Sequence, residues 1–410
     1  RSWVFETMTG VIHAPIDLPK FAWSVDVSDS SLATLKDKGV GDLDLSGVTV
    51  PWGSVPGDTM QAKRRILTPD RYSILLTWAS ERDLDMGLMG KPVVAAAIGV
   101  RTDTAIDTRF SLTSPFGLID DYNLENVYDL VREGRYGTGK NGTSPDTIRL
   151  TNLSYRGIAS EIGWLCTDAK PSGALPIDWT YRGEAGSRTR EYSAWDIQNN
   201  GCRKLLTDLS NILNGPDMQF RPYLPDQSHV RFAFLAGSDS DIYLGQREVH
   251  SLGYAPYAGA LDELTVDHLG AVHRVYASGA GTDAAQITAF AEDRTLLRAP
   301  GINWPLREST YSDSDTEDLA VLKAHAAGVL AANDRPLMQI TASVHAADID
   351  RGGAQSFPIG DIWPGERVNL DIRDYPPLPD GVYSTRLMRM SGDNTNRIEL
   401  IFDVMEDISV

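Results

Sequence analysis

The last hundred residues show an ordered series of hydrophobic patterns. An acidic segment with the residues of a capping box, 314–317, precedes apolar positions at helical spacing, and Arg335-Pro336 disfavours helix beyond Asn333. The pattern predicts a helix over 314–333. Its apolar side comprises Leu319, Leu322, Ala326, Val329 and Leu330.

Strands are predicted after this helix. Residues 338–344 alternate between apolar and polar side chains, and so do residues 368–372, which follow the turn Trp363-Pro364-Gly365-Glu366. The chain then ends in a predicted hairpin with arms over 383–390 and 398–404 and a turn at 392–394.

The first 118 residues are also predicted to be mainly strand. Residues 21–27 alternate strictly, and 72–78, 93–100 and, more weakly, 110–112 have strand patterns. Residues 40–58 are rich in Gly, Pro and Asp, which predicts a long surface excursion. We therefore expect a β-barrel or small sandwich with one extended insertion.

The middle of the chain has a pattern typical of an α/β unit. A Gly-rich segment, 134–146, predicts a loop or linker. Ser193 as cap, with Asp196 three positions later, begins a predicted helix that Gly215-Pro216 ends. A hairpin over 218–234 is expected to cover this helix. Beyond this unit, in the C-terminal segment, residues 284–292 fit either a strand or a short helix. The stripe of the helix is Cys202, Leu205, Leu206, Leu209, Ile212 and Leu213.

These patterns predict three domains in a chain of 410 residues, which is too long for one compact core. The first, 1–133, is β-barrel-like with a long loop insertion, and the second, 147–250, is α/β. The third, 260–410, is β-barrel-like and contains the 314–333 helix. The predicted fold class is α+β and β-rich.

The order of elements resembles one family. Residues 304–308, Trp-Pro-Leu-Arg-Glu, precede an acidic-capped, Ala-rich helix, and Pro364-Gly365-Glu366 starts a strand before the closing hairpin. This arrangement is similar to the last barrel domain of phage tail-hub proteins, the baseplate hub or tail-associated minor tail proteins of siphophages, in particular actinobacterial ones. The resemblance covers most of the chain in element order.

The resemblance implies two tube-type β-barrels that flank or interleave with a smaller α/β domain. It further implies a homotrimer, so that six barrels imitate the sixfold tail tube. The expected neighbours are a distal tail protein, other tail-tip proteins and the tape-measure protein, and the expected location is the virion tail tip after assembly in the host cytoplasm.

Charge and composition narrow the possible partners. The net charge of −18 argues against bound nucleic acid. An acidic lining would suit a conduit through which DNA slides without specific binding, but on charge alone acidity for solubility is the stronger explanation. Cys166 and Cys202, the only two cysteines, are too few for a disulfide scaffold or a Cys-based zinc site and are expected to be unpaired and buried. No apolar run reaches the roughly 18–20 residues that a membrane helix needs.

The motifs give no persuasive chemistry. Residues 137–142 match Gly-x-Gly-x-x-Gly but lack the strand and helix that a phosphate site needs, so a flexible loop is expected. The histidines, including His268, His273 and His325, show no metal-ligand spacing, and no pair of carboxylates, Glu161 and Asp168 among them, stands out. Five aromatics are weighed as sugar-stacking residues but are expected in cores or interfaces: Trp164, Trp179, Trp195, Tyr254 and Tyr257.

We therefore expect a structural virion protein and not an enzyme, with no catalytic, cofactor-binding or metal-binding residue and no cofactor. The alternative is a tail-tip glycan hydrolase or glycan-binding receptor protein that acts on the cell envelope. A cellular β-rich adhesin or secreted binding module would require only the composition and the strands.

Overall fold

The computed structural model describes residues 1–410 except 28–39, 123, 125–136, 138, 213, 246–247, 257, 302, 350–354 and 408–410. Its helices are α1 (Met60–Ile66), α2 (Glu81–Asp85), α3 (Pro115–Leu118), α4 (Tyr155–Cys166), α5 (Cys202–Asn211) and α6 (Leu319–Asn333). Its strands are β1 (Ser2–Glu6), β2 (Ile12–Ile16), β3 (Ala22–Asp26), β4 (Leu43–Ser46), β5 (Val48–Pro51), β6 (Tyr72–Trp78), β7 (Lys91–Asp103), β8 (Asp107–Thr113), β9 (Thr147–Leu153), β10 (Ile177–Trp179), β11 (Ala185–Ser193), β12 (Met218–Asp226), β13 (His229–Ala236), β14 (Val249–Ala255), β15 (Ala258–Gly259), β16 (Asp262–Leu269), β17 (Arg274–Ser278), β18 (Thr288–Glu292), β19 (Glu308–Ser312), β20 (Leu337–His345), β21 (Arg367–Ile372), β22 (Gly381–Asp393), β23 (Arg397–Phe402) and β24 (Met405–Glu406).

Two large sheets take the places of the two predicted barrels, and the β-rich α+β fold class is confirmed. The first sheet has the order β2-β1-β6-β7-β8-β5. Its central strand β6 is apolar and buried on both faces, as is the first part of β7. Strands β4 and β12, from other parts of the fold, both pack against β7 and contribute to its burial.

The second sheet joins distant parts of the chain. It has the order β15-β14-β21-β22-β23-β20-β16, with β3 and β4 added beside β22 and β24 beside β20. The long strand β22 links the two halves, because its first residues pair with β21 and its last residues pair with β3. The predicted strands at 21–27, 338–344 and 368–372 and the closing hairpin are all confirmed. The three-domain division stays a prediction, and this sheet crosses its first and third segments.

The predicted surface excursion at 40–58 is wrong. Residues in it form β4 and β5, and Leu43, Leu45, Val48 and Val50 are buried. The apolar residues alternate within a Gly- and Pro-rich segment, and each strand has a partner distant in sequence: β3 for β4 and β8 for β5.

Two helix starts also differ from the prediction. Helix α6 begins at Leu319, where the Asp318 carboxylate accepts from the Ala320 N–H at 2.7 Å, and the capping box at Ser314 is not formed. Helix α5 begins at Cys202, because Ser193 ends β11, which pairs with β9, and a 3-10 segment (Ala194–Asn199) follows. The predicted ends lie within a few residues of the observed ones, since α6 ends at Asn333 and α5 at Asn211.

The middle of the chain shares the main core with the two large sheets. The predicted hairpin forms as β12 and β13, with β10 added in parallel. Helix α4, which the sequence did not suggest, packs against α5, and Cys166 and Cys202, at their facing ends, are free and fully buried as expected. Gly163 of α4 has no side chain because the Trp179 ring occupies the space, at 2.2 Å from where a Cβ would lie.

Residues 270–333 form a small module, here called the insert module, between β16 and β20. Helix α6 covers one face of the sheet β18-β17-β19. The pattern of residues 284–292 fits either a strand or a short helix, and in the structure these residues contain β18. The module has a core separate from the main one: Val272, Val275, Ala277, Leu322, Ala326 and Leu330.

Candidate functional site

The second sheet presents a polar face that extends over six strands. Cross-strand pairing places one residue of each strand in a single row, about 24 Å wide from the usual strand spacing. The row, from β4 through β3, β22, β23 and β20 to β16, is Asp44, Ser24, Ser391, Glu399, Ser343 and Asp262.

The opposite face of the same strands is apolar. The neighbouring row is Leu43, Val25, Met390, Leu400 and Ala342, all at most 3% exposed. Because side chains alternate along a strand, one face packs into the core and the other is left for solvent or a partner. We call the outward surface the polar sheet face.

Carboxylates outnumber cations on the polar sheet face. A depression of about 380 Å³ on it is lined by Asp44, Asp393 and Glu399 together with Arg389 and Arg397, among others. The Thr395 hydroxyl and N–H donate to Asp393 and hold the pKa of its carboxyl below the usual range, so this group stays ionised at neutral pH.

One of these cations is already neutralised. Arg397 donates to Glu263 at 2.8 Å, and this ion pair is exposed. The surface is therefore polar with an excess of negative charge.

Two buried arginines attach the middle of the chain to the second sheet. Arg386 of β22 donates to Asp217 at 2.7 Å and to Asp403 at 3.0 Å. Burial lowers the pKa of Arg386, but the two carboxylates outweigh burial and raise it overall. These contacts hold the hairpin β12–β13 against the sheet. The Asp217 side chain is 2% exposed and that of Asp403 is 27% exposed.

The second of the two arginines is Arg221 of β12, and it is bonded to Glu366. The Glu366 carboxylate accepts from Arg221 at 3.0 Å, faces the His250 Nε2 at 2.9 Å and accepts from the Trp363 N–H at 3.2 Å. The Pro364-Gly365-Glu366 turn is thus a fixed joint between β12 and β21.

The Gly-rich motif at 137–142 does not have the context of a phosphate site. Gly137 and Gly142 have φ of 74° and 77°, and a 3-10 turn at Lys140–Gly142 is followed by strand β9 and not by a helix. Residues 125–136 before the motif, which include the first three of the predicted 134–146 linker, and residue 138 within the motif lie outside the described residues.

The histidines singled out from the sequence have separate partners. His268 faces Asp407 at 2.5 Å, the His273 Nδ1 accepts from the Arg307 N–H at 3.1 Å, and His325 lies 3.3 Å from Asp313. Among the described residues, no group of three His, Cys, Asp or Glu side chains is placed to hold a metal ion.

The carboxylates weighed from the sequence lie in ordinary structural settings. Glu161 accepts from the Gly183 N–H at 3.1 Å and from Arg182 at 3.4 Å. Asp168 lies just beyond the end of α4, and partial desolvation of its carboxyl raises its pKa, although the residue is exposed overall.

The described residues among the five aromatics that could stack on sugars lie in separate environments. Trp179 is buried against Phe220 and Phe234, Trp164 stacks under the Arg182 guanidinium at 3.6 Å, and Tyr254 packs edge-on against Tyr375. Trp195 is 65% exposed, and Tyr257 lies outside the described residues.

Sequence reasoning missed the polar sheet face. The alternation of β3, β22 and β23 was visible, but the polar positions form one surface only because β3 and β4 pair beside β22, some 365 positions later in the chain than β3. In the described part of the chain, each helix is too short or too polar to cross a membrane.

No model of a known protein family matches the sequence, and neither does any curated protein. Among solved structures, the chain is similar to the 43 kDa tail protein of prophage MuSo2 from Shewanella oneidensis, at 11% identity and a TM-score of 0.49, over 99% of this chain and 98% of that one. It is also similar to the tail protein from Neisseria meningitidis MC58, at 12% identity and a TM-score of 0.42, over 100% and 97% of the two chains. A third is the prophage tail protein gp18 from Listeria monocytogenes EGD-e, at 12% identity and a TM-score of 0.41, over 98% and 94%. Each of these three solved structures is a tail protein by its own description.

Proposed function

We propose that this chain is a structural hub of a phage tail, in which the polar sheet face lines an axial channel that DNA passes through. The observation that carries the proposal is the row of three carboxylates and three serines across six strands. The three carboxylates of the row are exposed, whereas Ser24 and Ser343 are 7% and 5% exposed, so the row presents mainly carboxylates to solvent. The row contains no apolar side chain to which a passing base could adhere.

The charge of the face supports passage without binding. Tight DNA binding requires cations that neutralise phosphates, and every phosphate neutralised releases counterions. Here the carboxylates of Asp44, Glu399 and Asp262 lie in the row, and Arg397 is paired with Glu263. A duplex within about 8 Å of the face, the screening length at physiological salt, is repelled weakly.

The proposed assembly is a homotrimer at the tail tip, joined to a distal tail protein, other tail-tip proteins and the tape-measure protein. Two large sheets in each chain allow three chains to supply six. The end strands β5 and β15 are only four and two residues long, which limits uncontrolled pairing while leaving edges for a neighbouring copy.

Charge reversal on the row tests the lining. The triple variant Asp44→Lys, Asp262→Lys, Glu399→Lys should bind duplex DNA measurably by fluorescence anisotropy, with an affinity that falls steeply as salt rises. The native protein should not bind at the same salt concentration.

A matched control separates the face from net charge. The variant Asp58→Lys, Glu81→Lys, Asp85→Lys changes three exposed carboxylates near α1 and α2 in the same way. It should gain much less affinity, since its lysines do not lie in one cross-strand row. Equal DNA binding by both variants would contradict a special role for the polar sheet face.

A further inference from the structure

Among the described residues, no layer covers one face of the sheet of the insert module. Val275, Ala277, Ala289 and Ala291 point to α6, so their neighbours along the strands point outward. Strand pairing arranges the outward residues in three rows. The rows are Glu292, Arg274 and Glu308; Phe290, Tyr276 and Thr310; and Thr288, Ser278 and Ser312.

The middle row contains two neighbouring aromatic rings that are open to solvent. Phe290 is 59% exposed and Tyr276 is 43% exposed. Their ring centroids lie 6.5 Å apart with an angle of 32° between the planes, so the rings lie side by side as one broad surface. Sequence reasoning considered other aromatics and missed this pair, which only the pairing of β17 with β18 brings together.

The first row holds the Tyr276 ring in place. The Tyr276 hydroxyl donates to the Glu308 carboxylate at 2.9 Å, and Arg274 donates to the same carboxylate at 2.9 Å and to the Tyr276 oxygen at 3.1 Å. Arg274 also pairs with Glu292, which Arg294 approaches at 2.7 Å. The aromatic surface is therefore fixed before any ligand arrives.

The charge of this face differs from that of the chain. Two arginines balance two carboxylates here, in a protein with a net charge of −18. A polyanion would find no excess of cations on it, and a cationic partner would be drawn to other surfaces. The third row adds only hydroxyl groups, two of which, those of Ser278 and Ser312, lie 3.3 Å apart.

We propose that this face of the insert module binds a neutral hexose polymer. The C–H side of a pyranose ring is apolar and packs on an aromatic ring, while its hydroxyls exchange hydrogen bonds with carboxylate, guanidinium and hydroxyl groups. The face spans about 13 Å along the strands and about 10 Å across them, which accommodates a short stretch of the polymer. The proposal is independent of the channel, because the face belongs to a different sheet with its own core.

Calorimetric titration of the full chain tests the proposal. The neutral probes are cellohexaose, maltohexaose and hexa-N-acetylchitohexaose, and the anionic probe is polygalacturonate. At least one neutral oligomer should bind, and Phe290→Ala or Tyr276→Ala should weaken it by roughly tenfold or more, as expected for the loss of a stacking ring. Tyr276→Phe keeps the ring and should weaken it far less. Trp195→Ala removes an aromatic side chain that is more exposed than either of these and lies elsewhere, and it should have no effect.

Three results would overturn the proposal. The first is that none of the three neutral oligomers binds at millimolar concentration, and the second is that only polygalacturonate binds. The third is that the two alanine variants leave sugar affinity unchanged but alter the sedimentation of the protein, which would make the face a contact between copies. A circular dichroism melt of each variant shows that the module is folded, and none of these results bears on the DNA test of the polar sheet face.

Discussion

Arg386 is predicted to contribute more to the free energy of unfolding than an exposed arginine that also forms an ion pair, such as Arg397. Its guanidinium bonds Asp217 and Asp403, lies 4.1 Å from the centre of the Tyr243 ring, and belongs to a side chain that is 15% exposed. The Asp217 side chain is 2% exposed. The substitution Arg386→Met keeps much of the apolar stem but removes the guanidinium from this buried carboxylate.

The expected cost is about 3–5 kcal/mol, the usual range when one partner of a buried ion pair is lost. That is a large part of the roughly 5–15 kcal/mol that keeps a domain folded. Urea unfolding at pH 7, followed by tryptophan fluorescence and circular dichroism, should therefore show a much lower midpoint for Arg386→Met. Adding Asp217→Asn should recover part of the loss, because the second change removes the buried charge.

Arg397→Met is the matched control. Arg397 also bonds a carboxylate with two of its nitrogens, but it and Glu263 are 58% and 62% exposed, so water and salt screen the pair. Its unfolding midpoint should equal that of the native protein. If the two arginine variants unfold at the same urea concentration, the buried pair is not what holds the hairpin to the sheet.

Three further outcomes follow from the structure. Gly163→Ala should destabilise the protein by more than 1 kcal/mol in thermal melts, since the new methyl group meets the Trp179 ring, whereas Gly328→Ala, in open space on α6, should stabilise it by about 0.5–1 kcal/mol. Burial raises the pKa of Asp42 by more than the Ser114 hydroxyl and the other partners lower it. The folded protein therefore binds a proton at Asp42 more tightly than the unfolded chain does. Its stability falls as the pH rises from the ordinary carboxyl range through this raised pKa. Asp42→Asn should remove that loss in urea unfolding measured between pH 3.5 and 7, and an unchanged pH profile would contradict it. Purified protein should release no sugar or peptide from peptidoglycan or arabinogalactan, and release that one carboxylate-to-amide change abolishes would show that the chain is an enzyme.

Elements with strong local periodicity were predictable from the sequence. Strands β6, β20 and β21 and the closing hairpin have apolar side chains at every second position or in an unbroken buried run, and α6 ends where a proline follows. The order of elements also carried the resemblance to tail-hub proteins, through residues 304–308 before an Ala-rich helix and the turn Pro364-Gly365-Glu366 before a strand.

What could not be predicted depends on contacts between distant residues. Helix α4 contains Gly157, Ser160 and Gly163, which weaken a helical pattern, yet Gly163 is needed to admit Trp179. The starts of α5 and α6 were misplaced because Ser193 and Ser314 are good caps locally, while the pairing of β11 and the position of Asp318 decide the outcome. The polar sheet face and the pair Tyr276 and Phe290 exist only through strand register, which no local pattern contains.

A reconstruction of the assembled particle with this chain located in it is the most direct test of the proposed hub. The account predicts three copies around the tail axis, with Asp44, Glu399 and Asp262 of every copy facing one channel. Copies at the periphery of the particle, or a polar sheet face that is covered by another protein, would contradict it.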